Sequence, residues 1–224
     1  MCGRFALFAY MRQLIEEFGL DEEGAGEVTQ RYNMAPSQRV LAVVNDGQTN
    51  RMETFKWGFI PHWAKDERPR YMINARAETV AEKPTFRSAF RSRRCLVVAD
   101  GFYEWKRSGK LKVPMYIRDT SGRPWGFAAI YETWMPPGGE PVTTCAIITT
   151  EANGVMSQVH TRMPAIVHEE DRATWLDPSV EDIDVLLPIL RPYEDDMMEM
   201  FPVSDDVNSP ANDHPGLVKP LNGI

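Results

Sequence analysis

Short runs of β-branched and aromatic residues recur along almost the whole chain, and turn signals such as Asn45-Asp46-Gly47 and Ser121-Gly122 separate them. The runs do not alternate with helical segments in a βαβ pattern, and no internal repeat occurs, which argues against a doubly wound parallel fold. We therefore predict an α+β fold with a mostly antiparallel, curled or barrel-like sheet surrounded by short helices. The predicted strands cover residues 40–44, 52–57, 95–99, 102–106, 115–118, 125–131, 143–149 and 164–167.

Helical patterns are fewer and shorter than the strand patterns. Apolar residues recur at helical spacing within residues 9–20, which predicts one amphipathic helix that ends at Gly19. The tail from about residue 202 is rich in Pro, Asn and Asp, so we expect it to be irregular. Because 224 residues with 43% hydrophobic content can bury one large core, a single domain over residues 1–224 is expected. Further helices are predicted at 77–90, 152–158, 169–176 and 180–187.

Charge is distributed unevenly along the chain, whose net charge is −7. Residues 1–50 hold 4 Lys and Arg against 7 Asp and Glu, and residues 124–224 hold 4 against 17. Residues 51–123 hold 17 against 8, a net charge of +9. A basic segment with many aromatic residues is typical of a surface for single-stranded nucleic acid, although a solvated basic face that balances an acidic one would have the same composition. The aromatic residues include Trp57, Trp63, Tyr71, Phe86, Phe90, Phe102, Tyr103 and Trp105.

Cys2 is the residue that says most about chemistry. Initiator Met is usually removed before a small residue, so we expect Cys2 to become the mature N-terminus. A free α-amine, with a reference pKa of about 7.7 to 8.0, would then lie two carbons from a thiol with a reference pKa of about 8.5. Such an aminothiol can attack a carbonyl through its thiolate, or condense with an aldehyde through its amine and close a thiazolidine ring through its thiol. The alternative is that Cys2 is only a small residue at a disordered terminus.

Three further polar residues occur in contexts that suit catalysis, and each has a structural alternative. His160 stands directly before a predicted strand, where a lone histidine is more often a structural residue. Glu104 lies in an aromatic run, where a buried carboxyl group would suit a general acid or base and an exposed one would not. Asn74 could donate its amide to an oxyanion or cap a turn.

Several short motifs occur in a fixed order from Cys2 to about Asn208. They are Met1-Cys2-Gly3-Arg4-Phe5, Arg31-Tyr32-Asn33-Met34-Ala35-Pro36, Trp57-Gly58-Phe59-Ile60-Pro61-His62-Trp63-Ala64, Asn74-Ala75-Arg76-Ala77-Glu78-Thr79, Arg94-Cys95-Leu96 with Gly101-Phe102-Tyr103-Glu104-Trp105, Thr149-Thr150, His160-Thr161-Arg162-Met163-Pro164 and Val203-Ser204. In this combination the sequence resembles the SRAP family, the SOS-response-associated peptidases that are also described as abasic-site processing proteins. The resemblance covers nearly the whole chain.

The resemblance implies chemistry on abasic sites in single-stranded DNA. Cys2 would be the covalent nucleophile, Asn74 would orient the linkage, and Glu104 and His160 would transfer protons. A Schiff base between the Cys2 amine and the abasic sugar would close to a thiazolidine crosslink, with AP-lyase and self-processing peptidase activities associated with it. Thr161 stands where the family often has an acidic residue, which leaves open what neighbours His160. The DNA-contacting positions that the resemblance implies are Arg4, Asn33, Pro36, Trp63, Arg76 and Arg162.

Two other functions remain open at this level. In the first, the chain is an N-terminal-nucleophile cysteine amidohydrolase or peptidase, whose Cys2 thiolate attacks an amide. In the second, it is a DNA-binding module without chemistry. Cys2, Cys95 and Cys145 follow no disulfide or zinc spacing, so we expect neither a metal nor another cofactor. No apolar run approaches the roughly 18 to 20 residues of a membrane span, so we expect a cytoplasmic protein. We also expect a monomer, and the DNA substrate that the resemblance implies would associate it with the nucleoid.

Overall fold

The computed structural model describes residues 2–21, 28–65, 71–109 and 111–221, and within these ranges twelve strands form two sheets. Most of the predicted strands are present and run longer than predicted. The strand predicted at 164–167 is instead found at Arg162–Pro164, so only Pro164 is common to both. The strands are β1 (Phe5–Leu7), β2 (Arg31–Met34), β3 (Arg39–Asn45), β4 (Asn50–Trp57), β5 (Asn74–Arg76), β6 (Arg94–Ala99), β7 (Gly101–Ser108), β8 (Leu111–Asp119), β9 (Trp125–Trp134), β10 (Val142–Glu151), β11 (Arg162–Pro164) and β12 (Met198–Pro202).

Five of these strands close into a barrel. Strand β10 pairs with β4, the order continues through β3, β6 and β9, and β9 pairs back to β10. Among the pairings between the twelve described strands, only those of β10 with β4 and with β5 are parallel. Strand β11 extends the sheet beyond the end of β9, where it pairs antiparallel with β10. The predicted α+β fold with a mostly antiparallel, barrel-like sheet is confirmed.

The second sheet, in the order β12-β8-β7-β1-β2, packs against the barrel through aromatic side chains. The ring of Phe5 lies 5.1 Å from that of Trp57 and 6.1 Å from that of Phe127. Phe102 on β7 lies 5.9 Å from Phe127. Side chains alternate between the faces of a strand, so Tyr103 points to the opposite face from Phe102. The inner face of β7 is therefore a wall of the main core.

The α-helices are short, and one prediction about them is wrong. The single helix expected at 77–90 is two helices, because Pro84 has no N–H to donate and disfavours helical geometry at Lys83. The first helix ends as predicted, at Gly19, whose φ of 57° is left-handed. The segments expected at 169–176 and 180–187 combine α-helix with 3-10 turns. The α-helices are α1 (Met11–Phe18), α2 (Ala77–Val80), α3 (Arg87–Ser92), α4 (Gly154–Ser157), α5 (Arg172–Leu176) and α6 (Ile183–Leu186).

The C-terminal segment, residues 203–221, covers the outer face of the second sheet. It contains two 3-10 turns, Asp205–Asn208 and Pro215–Val218, and otherwise irregular backbone. Its buried side chains pack on this face in a small separate core of Ala6, Tyr103, Tyr116, Val203, Val207 and Leu217. The segment thus lacks regular strands and helices but is part of the packed structure. None of the described helices is long and apolar enough to cross a membrane.

Candidate active site

Cys2 is buried just before β1, at the edge of the core between the two sheets. Strand β1 runs antiparallel to β7, with Phe5 opposite Phe102. The N–H of Tyr103 donates to the carbonyl of Arg4 over 2.9 Å, which extends the pairing towards Cys2. From the other side, Asn74 Nδ2 donates to the Cys2 carbonyl over 2.9 Å. The segment from Cys2 to Arg4 is therefore held by residues from two sheets.

The Cys2 thiol lies in a buried environment beside a carboxylate. Burial raises the pKa of this thiol far above its usual range, and the charge of Glu104 raises it further, while the positive charge of the N-terminus and the backbone N–H of Arg4 oppose the shift. Glu104 is itself buried, on the inner face of β7 that it shares with Phe102. The structure thus brings Cys2 and Glu104 together and keeps the thiol protonated near neutral pH.

Asn74 has a second polar atom in the site. Its Oδ1 is buried and accepts no hydrogen bond from the described residues, while its Nδ2 is engaged by Cys2. A buried acceptor without a donor costs stability, and such atoms often mark where a ligand binds. The amide of Asn74 can therefore hold Cys2 with one end and receive an O–H or N–H of a substrate with the other.

His160 lies in the turn between α4 and β11. Its backbone N–H donates to Met156 O over 2.9 Å, and its Nδ1 accepts the backbone N–H of Arg162 over 2.9 Å. An acceptor at Nδ1 means that the neutral ring carries its proton on Nε2. The sequence leaves open which group neighbours His160. At Nδ1 this neighbour is the backbone N–H of Arg162, so Nε2 is the nitrogen of the ring that can donate a proton.

Arg162 points across β10. Its Nη1 and Nη2 bind the two carboxylate oxygens of Glu78 at 2.6 and 3.0 Å, and Nη2 also donates to the carbonyl of Thr149. Glu78 lies in α2, directly after β5, whereas Arg162 begins β11 on the other side of β10. The guanidinium group expected to contact DNA is therefore engaged in a bidentate ion pair with an exposed carboxylate of the same chain.

Arg4 and Asn33 bind the C-terminal segment. Arg4 Nη1 donates to Asn33 Oδ1 and to Val207 O, and its guanidinium lies 5.9 Å from the ring centre of Trp105. Asn33 is fully buried, and its Nδ2 lies within hydrogen-bonding distance of the carbonyls of Val207, Ser209 and Asn212. Asn33 therefore faces the C-terminal segment and not solvent, while Arg4 remains partly exposed.

Trp63, Arg76 and Pro36 reach the surface. Trp63 is 59% exposed in the loop after β4, which starts at Gly58 with a φ of 142° that favours glycine. The loop is anchored where Trp134 Nε1 donates to Ala64 O over 2.8 Å. Arg76 ends β5 and is exposed, and Pro36 is half-buried in the turn after β2. A large aromatic side chain and a cation thus face solvent in the segments that follow β4 and end β5.

Sequence reasoning assigned no role to three residues that the structure places around these groups. Glu78 lies within the motif that begins at Asn74, and its place in that motif is the one sequence feature that could have indicated a role. Trp105 donates from Nε1 to Asn208 Oδ1 over 2.7 Å, and Glu132 binds both His62 and Arg93 at 3.0 Å. Their partners are distant in sequence, so no local pattern indicates them. Among the residues that the structure describes, no group of His, Cys, Asp and Glu could hold a metal ion.

Comparison with known proteins gives consistent matches. The family model of the SOS response associated peptidase (SRAP) matches residues 1–210. The chain is 49% identical over 222 residues to the abasic site processing protein YoqW of Bacillus subtilis, covering 98% of this chain and 99% of that protein. It is 33% identical to the abasic site processing protein YedK of Escherichia coli, covering 79% of each. A solved structure from Bacteroides thetaiotaomicron matches with a TM-score of 0.87 and 27% identity, covering 98% of this chain and 100% of that one.

Proposed function

Because the chain belongs to the SOS response associated peptidase (SRAP) family, we propose that it processes abasic sites in single-stranded DNA by forming a thiazolidine crosslink through Cys2. Relatives at 49% and 33% identity carry the name abasic site processing protein. The observation that carries the proposal is the hydrogen bond between Asn74 and the Cys2 carbonyl, beside the buried carboxylate of Glu104. This arrangement holds an N-terminal aminothiol next to groups that can orient and protonate a substrate.

The proposed reaction begins when Met1 is lost and the Cys2 nitrogen becomes a primary amine. The amine adds to the aldehyde carbon C1′ of the ring-opened abasic sugar, and water leaves as the C=N bond forms. The Cys2 S–H then adds across this bond: sulfur binds C1′, and the proton moves to nitrogen. The product is a five-membered thiazolidine ring that joins protein and DNA covalently.

The order of these steps follows from the state of the thiol. Thiolates, and not thiols, are the reactive sulfur nucleophiles. Burial and the charge of Glu104 both favour the protonated thiol of Cys2. An amidohydrolase that attacks an amide through Cys2 would need the thiolate first, whereas imine formation starts from the amine. Only the first step of crosslinking, imine formation, therefore proceeds without the Cys2 thiolate, whereas the first step of the amidohydrolase reaction requires it.

Proton transfer is assigned to two residues. Glu104 acts on the Cys2 side of the site, where its charge affects the thiol; it takes the proton that the amine loses on addition and returns it to the departing hydroxyl. His160, with its ring proton on Nε2, donates to the sugar ring oxygen so that the ring opens. Asn74 Oδ1 accepts a hydrogen bond from the substrate and orients it. A thiol that failed to close the ring would leave the imine to undergo β-elimination, which is the proposed lyase activity.

The proposed DNA surface is built around exposed groups. Trp63 stacks on a base next to the abasic site, and Arg76 neutralises a phosphate. Arg4 and Pro36 are partly exposed, and we assign them to the same surface. Asn33 contributes by holding Arg4, and Arg162 contributes from its ion pair with Glu78. We propose that the protein acts as a monomer in the cytoplasm, on single-stranded DNA at the nucleoid, and that peptidase activity is limited to its own Met1.

The test is one incubation with a single-stranded oligonucleotide that carries one abasic site, resolved on a denaturing gel. Protein that begins at Cys2 is compared with protein whose Met1 is retained, each verified by intact mass. The proposal expects a heat-stable shifted band only for the first. A heat-stable band from the Met1-retaining protein contradicts the aminothiol mechanism. Binding to the oligonucleotide without any covalent band identifies a DNA-binding module, and turnover of an amide substrate without a band identifies the amidohydrolase.

A further inference from the structure

Arg39 and Lys56 place two positive charges side by side where β3 begins and β4 ends. They are directly opposite partners in the antiparallel pairing of these strands, so their side chains share one face of the sheet. The adjacent Val40 and Phe55 are buried, so Arg39 and Lys56 point away from the core. Neither cation forms an ion pair with a carboxylate of the described residues. Like charges in directly opposite positions destabilise a sheet, and a bound anion would remove that cost.

The Lys56 ammonium group lies over an aromatic ring. Its Nζ is 4.9 Å from the ring centre of Tyr71, within the range of a cation–π interaction. Tyr71 in turn packs against the backbone of Gly58, where a Cβ would come within 3.1 Å of the Tyr71 Cβ. A free lysine side chain samples many rotamers, so this contact reduces the entropy that Lys56 loses when it binds an anion. Tyr71 is 40% exposed, which leaves the pair open to solvent.

Arg39 follows a turn whose backbone is attached to the end of β4. The N–H of Ser37 donates to the carbonyl of Trp57 over 2.7 Å, and the N–H of Trp57 donates to the carbonyl of Gln38 over 2.9 Å. Among the described residues other than glycine, only Ser37 has a left-handed φ, of 70°. Strained positions of this kind persist where neighbouring contacts hold them, and they occur preferentially at functional sites. The same turn carries Pro36, which is assigned to the DNA surface.

Two connections place this pair of cations close to the proposed reaction site. Tyr71 is three residues before Asn74, and three residues of fully extended chain span at most about 11 Å. Trp57, the residue after Lys56, donates from its Nε1 to the carbonyl of Ile73 over 2.9 Å. A DNA strand whose abasic sugar occupies the site therefore has flanking phosphates in the neighbourhood of the two cations.

We propose that Arg39 and Lys56 form a phosphate-binding subsite for an undamaged nucleotide that flanks the abasic site, and that Tyr71 positions the Lys56 ammonium group. The inference rests on the proposed function for the identity of the ligand, single-stranded DNA. Phosphate contacts fix the register of a protein on a nucleic acid without reading its sequence, which suits the recognition of a lesion in any sequence. The subsite contributes to affinity and not to the rate of the chemical step.

Salt titrations with a fluorescent single-stranded oligonucleotide test the subsite. Arg39→Gln and Lys56→Gln should each weaken binding about fivefold at about 0.1 M salt and reduce the salt slope by about 0.7, the value for one phosphate contact on a single strand. Tyr71→Leu should also weaken binding, but it should add nothing to a protein that already carries Lys56→Gln, because both changes remove the same contact. At saturating abasic DNA, each variant should crosslink at the wild-type single-turnover rate.

Lys112→Gln is the matched control. Lys112 is exposed and lies directly opposite Arg107 in the pairing of β7 with β8, so it also belongs to a pair of opposed cations. Neither of these two has an aromatic ring contact among the described residues. The control changes the net charge by the same amount as Lys56→Gln, and we expect it to leave the salt slope nearly unchanged. If both variants weaken binding equally, only the overall charge matters and the proposal is overturned.

Trimming the oligonucleotide locates the contact. The difference in affinity between wild type and Arg39→Gln should disappear when nucleotides are removed from one side of the abasic site and persist when they are removed from the other. A difference that survives both trims overturns the proposal. Arg39→Gln should not lower the melting temperature, since it removes a contact between like charges, and affinity lost together with stability would make Arg39 structural. If wild type binds with these differences but forms no crosslink, the proposed function fails while the subsite is confirmed.

Discussion

Arg4 and Asn33 meet through a 2.6 Å hydrogen bond from Nη1 to Oδ1, and both also donate to the same carbonyl, that of Val207. Arg4 lies two residues from Cys2, the proposed nucleophile, and Val207 lies in the C-terminal segment. The start of the chain and its last part are therefore held together at one buried asparagine. This contact couples the stability of the C-terminal segment to the position of a proposed DNA-binding cation.

The first prediction follows from this contact. Asn33→Ala removes the amide and leaves the carbonyls of Ser209 and Asn212 without this donor, as well as Arg4 without one acceptor. We expect the free energy of unfolding to fall by about 1 to 3 kcal/mol, the cost of unsatisfied buried polar groups. DNA affinity should also fall, although Asn33 has no exposed surface. Urea denaturation and fluorescence anisotropy measure the two effects, and unchanged stability would contradict the structural role.

The second prediction concerns the thiol. Cys2→Ser keeps the amine and nearly the same shape, so the Schiff base with an abasic oligonucleotide should still form and be trapped by borohydride. The thiazolidine cannot close, so the imine should revert or cleave the strand by β-elimination. Denaturing gels with and without the reductant measure both species. Heat-stable adduct at wild-type yield from this variant would exclude the thiol from the final linkage.

The third prediction compares two cations and an aromatic residue. The logarithm of the association constant for single-stranded DNA should fall by about 0.7 per tenfold increase in salt for each phosphate that the protein neutralises. Arg76→Ala should remove about one such contact and so reduce this slope. Sequence reasoning expects the same of Arg162→Ala, but its charge is balanced by Glu78, so we now expect a smaller change of slope.

Trp63→Ala belongs to the same experiment as an uncharged comparison. It should cost about 1 to 3 kcal/mol of binding free energy through lost stacking, with the slope unchanged. Titrations at several salt concentrations measure all three variants. Binding that does not depend on salt would exclude the cationic surface.

The fourth prediction is a loss of stability in alkali. Burial raises the pKa of all three thiols, that of Cys145 to about 12. Thiols of the unfolded chain ionise near about pH 8.5, so above this pH the unfolded state binds fewer protons than the native state and stability falls as pH rises. Each thiol should contribute a slope of about 1.4 kcal/mol per pH unit. Below the unfolded pKa the thiols contribute no pH dependence.

Urea denaturation from neutral pH to about pH 9.5, below the usual tyrosine range, measures this slope. Cys145→Ala should lower the free energy of unfolding at every pH through the cavity it creates. Its fall with rising pH should be less steep than in wild type, by the contribution of one thiol, about 1.4 kcal/mol per pH unit. A wild-type slope that stays flat above pH 8.5 would mean that the thiols ionise equally in both states.

The sequence predicts most long strands because strands such as β6 and β9 are continuous β-branched and apolar runs. It does not predict β1, β2, β5 and β12, each of three to five residues, since their pairing depends on partners far along the chain. The same reason explains Asn33, whose motif suggests a surface contact while its hydrogen bonds come from residues 207–212. The proximity of Cys2 and Glu104, by contrast, agrees with what the motifs imply.

The last prediction separates the two proposed proton carriers. Glu104→Gln keeps the shape and removes the ionisable group, so crosslinking should slow by about a hundredfold or more, the usual scale of acid-base catalysis, while DNA affinity should barely change. His160→Ala should slow the reaction with a natural abasic site much more than with an analogue whose sugar cannot close its ring, because only the natural site needs its ring oxygen protonated. Single-turnover rates on both substrates, with each variant as its own control, measure the difference. Equal slowing on both would assign His160 to a later step, and unchanged rates on both would return it to a structural role at the Nδ1 contact with Arg162.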